Sequence, residues 1–221
     1  MAASSIDRIR VTGLTVGPLE ENCWLLTDRE AGEAILVDPG DEAERLLDAV
    51  DASGCRLTAI WLTHAHFDHL GAVEAITRER PVPVRMHPLD LPLYAQAASS
   101  ALRWGLTLEQ PTAVTEAIED GVVLAFGGTA FTIWHLPGHA PGHVAFVGHD
   151  LCISGDLLFA GSIGRTDLPL CDPRAMQQSL QRLTTLPPET QVMPGHGPAT
   201  TIARELAGNP FLRGLARPIG A

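Results

Sequence analysis

Short apolar blocks open the chain over 9–16, 23–27 and 34–37, with Gly17-Pro18 and Gly32 in the gaps. Blocks of this length bounded by turn residues predict strands, here an antiparallel meander. The period then changes, because Ala43, Leu46, Leu47 and Val50 fall on one face of a helix over 41–50. The nearly continuous apolar run 57–62 predicts a buried strand, Leu70, Val73 and Ile76 a second helix, and 82–86 another short strand. From 87 to 110 the periodicity is mixed and interrupted by Pro88, Pro92 and Gly105, so that stretch is read only as helical or irregular.

The second half repeats the plan with strand-like runs over 122–125, 131–136, 144–147 and 151–154, and Gly148-His149-Asp150 reads as a hairpin turn. Asp172 followed by Pro173 supplies an N-cap and a first-turn proline for a helix that turns Met176, Leu180 and Leu183 inward. A strand over 191–193 and a helix over 201–207 complete the pattern. Strands flanked by helices in two similar halves predict an α/β (α+β) fold of two stacked mixed sheets with helices outside, which buries both faces of each sheet. No linker or low-complexity stretch divides the chain, and residues 1–221 are expected to form one domain.

Composition adds exclusions. With 221 residues, 45% hydrophobic and 19% charged, the chain has ordinary globular material for a sizeable core. Its 15 basic against 26 acidic residues give a net charge of −11 without any long Lys/Arg run, which argues against nucleic acid as a partner. Cys23, Cys55, Cys152 and Cys171 are scattered and lack the close pairing of thiolate metal sites or redox motifs, so they are expected to be free thiols. Residues 1–11 have no apolar signal segment and no apolar run approaches 18 residues, from which a cytoplasmic protein without a membrane partner is expected. The oligomeric state is not readable.

The candidate chemistry is concentrated in Thr63-His64-Ala65-His66-Phe67-Asp68-His69, directly after the run 57–62. Side chains repeat every second residue at a strand end, so His64 and His66 can address one metal ion. Asp68 and His69 follow where the chain turns, in position to face a second ion. The competing reading, that Asp68 merely caps the next helix, loses ground to three further places where a strand-like run, a turn residue and a potential ligand occur in that order. These are Leu136-Pro137-Gly138-His139, Ser154-Gly155-Asp156 and Pro194-Gly195-His196. The stretch 87–110 is a candidate for the rim of such a site.

This ordered set resembles the metallo-β-lactamase superfamily and, within it, the short bacterial branch of the glyoxalase II-like (hydroxyacylglutathione hydrolase-like) enzymes. Asn22-Cys23-Trp24-Leu25-Leu26, Val37-Asp38-Pro39-Gly40, Gly164-Arg165-Thr166-Asp167 and Asn209-Pro210-Phe211 extend the likeness over nearly the whole chain. The resemblance implies a four-layer αββα sandwich. It also implies two divalent metal ions, Zn, Fe or Mn, with His64, His66 and His139 on one, Asp68, His69 and His196 on the other, and Asp156 bridging them. Such a centre leaves room for a bridging hydroxide as nucleophile, and the implied substrate is a small thioester such as S-lactoylglutathione. Arg165 stands where these enzymes tend to carry a cation for the glutathione carboxylate, although a surface salt bridge is an equal alternative.

Some details depart from the pattern. Pro198 replaces the tyrosine that glyoxalase II enzymes carry after the last histidine, and their C-terminal helical extension has no counterpart in these residues. The rival that the resemblance brings is a persulfide dioxygenase with one Fe(II) on two histidines and a carboxylate, for which the second-metal residues are superfluous. A non-catalytic metal-binding protein on the same fold is a further alternative. Asp38 is read either as support for a ligand histidine or as turn chemistry before Pro39-Gly40. His143 is read as a structural or supporting residue, and His87, His135 and His149 as structural or surface residues.

Overall fold

Alternation along one strand shows how the layers arise. In β2 (Glu21–Asp28), Cys23 and Leu25 enter one core while Trp24 and Leu26 enter another, and the whole strand is buried. A strand whose two faces are both apolar must lie between two layers, because successive side chains point to opposite sides. The computed structural model describes residues 9–112 and 115–220.

β1 (Ile9–Val16), β2, β3 (Glu33–Val37), β4 (Arg56–Trp61), β5 (Val84–Met86) and β6 (Thr115–Ala117) form the first sheet in that spatial order. Its first three strands are the antiparallel meander, and β3 to β6 run parallel. The parallel crossovers carry α1 (Ala43–Ser53), α2 (Val73–Glu79), α3 (Leu91–Tyr94) and α4 (Ala97–Arg103). The second sheet has the order β14 (Thr200–Thr201), β13 (Gln191–Pro194), β10 (Leu151–Gly155), β9 (Val144–Gly148), β8 (Thr129–His135), β7 (Val123–Phe126). A two-stranded ribbon, β11 (Leu158–Phe159) with β12 (Ser162–Ile163), stands apart, and α5 (Pro173–Leu183) and α6 (Ile202–Gly208) complete the chain.

Three apolar interfaces hold four layers together. Leu36, Leu46, Leu62 and Ile76 fill the space between the first sheet and its helices. Trp61, Phe131, Phe146 and Ile153 fill the space between the sheets, and Cys152, Met176, Leu180 and Val192 that between the second sheet and α5. Trp61 anchors the middle layer, meeting Phe131 edge-on at 5.9 Å and Phe146 at 5.0 Å between ring centroids. Such pairs contribute about 0.5–1.5 kcal/mol each beyond area burial. No helix among the described residues is long and apolar enough to cross a membrane.

The mixed sheets and outer helices are as the sequence pattern predicts. The similar halves are not: the first sheet is half parallel, whereas in the second only β10 and β13 are parallel. The run 57–62 is nearly continuous because it is buried on both faces and carries a register shift, Ala34 facing Leu57 and Ile35 facing Ala59. The extra residue, Thr58, satisfies the strand by donating from its hydroxyl to the Ala34 carbonyl at 3.1 Å.

Candidate metal centre

Strand direction brings the candidate residues to one rim. In the second sheet β8 and β10 both oppose β9, and β13 runs with β10, so the three point the same way. Their C-terminal ends deliver His139, Asp156 and His196. Across the sandwich, β3, β4 and β5 are parallel, and the loops beyond them deliver Asp38, then 64–69, then Asp90. All seven residues predicted as metal ligands meet at this rim.

His64, His66 and His139 converge, with His64 Nε2 at 3.1 Å and His139 Nε2 at 2.8 Å from His66 Nδ1. Asp68, His69 and His196 form a second group, with Asp68 Oδ2 at 3.9 Å from His69 Nε2 and 3.4 Å from His196 Nε2. Asp156 lies between the groups: Oδ1 is 3.4 Å from His69 Nε2, while Oδ2 is 3.4 Å from His139 Nε2 and 3.6 Å from His196 Nε2.

Four of the five histidines are held through Nδ1, the ring nitrogen turned away from the centre. His139 Nδ1–H donates to the Arg165 carbonyl at 2.8 Å and His196 Nδ1–H to the Leu19 carbonyl at 3.1 Å. Asp38 Oδ1 accepts the Thr63 N–H at 2.7 Å, and its Oδ2 accepts both the Thr63 hydroxyl at 2.6 Å and His69 Nδ1–H at 3.1 Å. The Thr63 hydroxyl proton is thereby committed, so its oxygen accepts from His64 Nδ1–H at 3.0 Å. Each of these four imidazoles turns its Nε2 to the centre, the atom a metal would bind. Asp38, open between two readings in the sequence, is a support for ligand histidines held at a left-handed φ of 53°.

His143 is also resolved: its Nε2 accepts the backbone N–H of Asp156 at 3.1 Å, and its ring lies 5.2 Å from that of His64. His87 and His135 stack on each other at 4.2 Å, away from the centre, and His149 sits in the β9–β10 turn. Two supporting residues carry no recognisable signal in the sequence. Asp90 ties the 64–69 loop to the loop of His139, accepting from Ala65 N–H at 3.0 Å and Gly142 N–H at 2.5 Å. Glu21 is 1% exposed with Oε1 3.7 Å from His69 Nδ1, and neither of its carboxylate oxygens has a hydrogen-bond partner among the described residues. Both depend on contacts distant in sequence.

The electrostatics follow from crowding these groups out of water. Burial lowers the pKa of His64, His66, His139 and His143, to about 3 for His66 and His143. Burial raises Glu21 well above the usual carboxylate range and Asp90 to about 6. For His69, burial disfavours the cation, but the carboxylates of Asp156 and Asp68 prevail and raise its pKa. Burial likewise works against an ionised Asp156, and the surrounding imidazoles overcome it and lower its pKa.

These residues fit a metal centre on geometry alone. His69 Nε2 and Asp156 Oδ1 are buried, face each other and have no hydrogen-bond partner, an arrangement that is costly unless something else binds both. Gly195 keeps that space open, since a β-carbon there would overlap Asp156 Oδ1. The donor set of imidazoles and carboxylates suits Zn, Fe and Mn.

A cavity of about 750 Å³ opens over His66, Asp68, His139, Asp156 and His196. Arg165 is on its wall, with Nε and Nη2 donating to the two carboxylate oxygens of Asp167 at 2.7 and 2.8 Å. The rim over 87–110 resolves into α3 and α4, which contribute Leu93, Arg103 and Trp104 to the same wall.

Three relatives locate this arrangement among known proteins. The hydroxyacylglutathione hydrolase GloC of Haemophilus influenzae is 36% identical over 204 residues, 90% of this chain and 96% of that protein. The crystal structure of TTHA1623 in a di-iron-bound form is 50% identical with a TM-score of 0.86, covering 91% of this chain and 100% of the other. The B3 metallo-beta-lactamase BLEG-1 is 35% identical with a TM-score of 0.86, covering 92% and 99%. Residues 16–196, which contain every residue of the centre, match the family model directly, and the chain belongs to the metallo-beta-lactamase superfamily.

Proposed function

We propose that this chain is a metal-dependent hydrolase that holds two divalent ions and cleaves a small thioester such as S-lactoylglutathione. The observation that carries the reading is Asp156, whose carboxylate lies between the two groups, within 3.4 Å of His139 Nε2 in one and of His69 Nε2 in the other. His64, His66 and His139 would hold one ion, Asp68, His69 and His196 the other, and Asp156 both. When bound, such a pair supplies a hydroxide nucleophile near neutral pH and polarises a carbonyl oxygen. The di-iron form of TTHA1623 and the activity named for GloC support the count and the reaction class.

The chain's own residues set the conditions. Asp38 and Thr63 orient the rings of His69 and His64 so that each Nε2 turns to the centre. Phe67 and Trp104 stand on the cavity wall with ring centroids 6.2 Å apart. A departing thiolate is a stable anion near neutral pH, so no strong protein acid is required. Arg165 is placed to meet an anionic end of the substrate, with part of its guanidinium already committed to Asp167. A persulfide dioxygenase with one Fe(II) would leave Asp68, His69 and His196 without a task, although all three converge.

Metal content and turnover measured on one preparation test the proposal. Two ions per chain with S-lactoylglutathione hydrolysis is the expected result, and Asp156→Ala should lose both ions. One iron per chain without thioester hydrolysis points to the oxygenase, and hydrolysis of a β-lactam alone places the chain with BLEG-1 in activity.

A further inference from the structure

Away from the candidate ligands the wall of the large cavity carries more apolar surface than the lactoyl group of S-lactoylglutathione would cover. Leu93 and Trp104 come from the α3–α4 arm, Leu168 and Leu170 from the loop before α5, and Phe159 and Ile163 from the β11–β12 ribbon. Trp104 is 51% exposed although it touches this cavity, its ring flanked by Phe67 and by the Arg165 guanidinium 5.9 Å from its centroid. A half-exposed indole at a cavity wall is a surface for packing an apolar group.

The cations of the same wall are not equivalent. Arg165 is engaged by both oxygens of Asp167. Arg103 donates to the Ser100 hydroxyl at 2.9 Å and has no carboxylate partner among the described residues. In a chain of net charge −11, an uncommitted guanidinium facing a cavity is a point of attraction for an anion. Arg103 and Trp104 are consecutive at the end of α4, where successive side chains diverge by about 100°, so they address two limbs of a ligand.

We propose that Trp104 and Arg103 set the specificity of this site. The substrate they select is a thioester with one aromatic or branched apolar limb, packed on Trp104, and one carboxylate-bearing limb, paired with Arg103. This rests on the hydrolase reading above, with binding probes that do not need turnover.

The probes are two thioethers that cannot be hydrolysed, S-benzylglutathione and S-methylglutathione, titrated into the purified metal-loaded protein by calorimetry. The benzyl compound is expected to bind about 10-fold or more tightly than the methyl one, the discrimination an apolar pocket gives. Trp104→Ala, with Trp104→Leu as a second variant, should bring the ratio below about 3-fold. Arg103→Gln should weaken both probes together and flatten the salt dependence of binding, and Arg103→Lys should restore part of it. In turnover, S-phenylacetylglutathione should exceed S-lactoylglutathione in kcat/KM, and Trp104→Ala should erase the preference. Equal binding of the two thioethers, or a ratio unmoved by Trp104→Ala, overturns the proposal even if thioesters are cleaved. A benzyl preference that depends on Trp104, without hydrolysis of either ester, upholds the pocket and removes the hydrolase reading.

Discussion

Asp38 shows how one carboxylate can decide the state of a centre it does not enter. Its two oxygens take three protons, from Thr63 N–H, the Thr63 hydroxyl and His69 Nδ1–H, so an amide in its place cannot accept them all. In Asp38→Asn, either the Thr63 contacts or the His69 tautomer gives way. The expected result is an affinity about 10- to 100-fold lower for the ion at Asp68, His69 and His196, read by competition with a chelator. Unchanged affinity would show that Asp38 serves only the turn. The candidate ligands that converge are legible in the sequence because few residue types bind a metal, and four of them stand within 64–69. Asp38, Asp90 and Glu21 are not legible to the same degree. Their partners lie at least 25 residues away, and a carboxylate before Pro39-Gly40 or after Pro88 is equally good turn chemistry.

At the scale of elements, the longer strands and α1 and α5 can be read because each has one consistent period and marked ends. Asp172 is the clearest end: its Oδ1 accepts from Arg174 N–H at 2.8 Å and Ala175 N–H at 3.1 Å, and Pro173 follows as the sequence predicts. Asp172→Ala leaves both donors unpaired and is expected to cost about 1 kcal/mol, measured as a lower urea midpoint. The β9–β10 turn is also legible, since His149 and Asp150 have φ of 55° and 56°, the geometry of a two-residue hairpin that a Gly-His-Asp sequence permits. The ribbon β11–β12 and the edge strand β14 escape notice because a two-residue strand has no period to detect. The arm over 87–110 escapes because Pro88, Pro92 and Gly105 interrupt its period and α3 has only four residues. The proposed specificity residues Arg103 and Trp104 belong to that arm.

For the whole molecule, gathering so many ionisable groups at one buried rim makes the metal-free protein sensitive to acid, and the direction can be worked out group by group. In the unfolded chain an imidazole takes up its proton near pH 6.5. His66 and His143 in the folded protein resist it until about pH 3, and burial lowers His64 and His139 as well. These four contribute stability that is full above about pH 6.5 and is lost as pH falls. Asp90, raised to about 6, and Glu21 act oppositely, their contribution being present at low pH and lost as pH rises through the folded value. His69 and His196 are raised, so below about pH 6.5 they are protonated in both states and cancel. The lowered imidazoles outnumber the raised carboxyls, so the unfolded chain is the proton-richer state between roughly pH 4.5 and 6 and stability falls on acidification through that range. Urea midpoints of chelator-stripped protein between roughly pH 6 and 4.5 measure this trend, and a flat or rising midpoint on acidification over that window refutes it. Bound ions need the same imidazoles neutral, so at pH 7.5 an ion present at 100 times its Kd should add about 2.7 kcal/mol, and its protection should fade over the same acidic range.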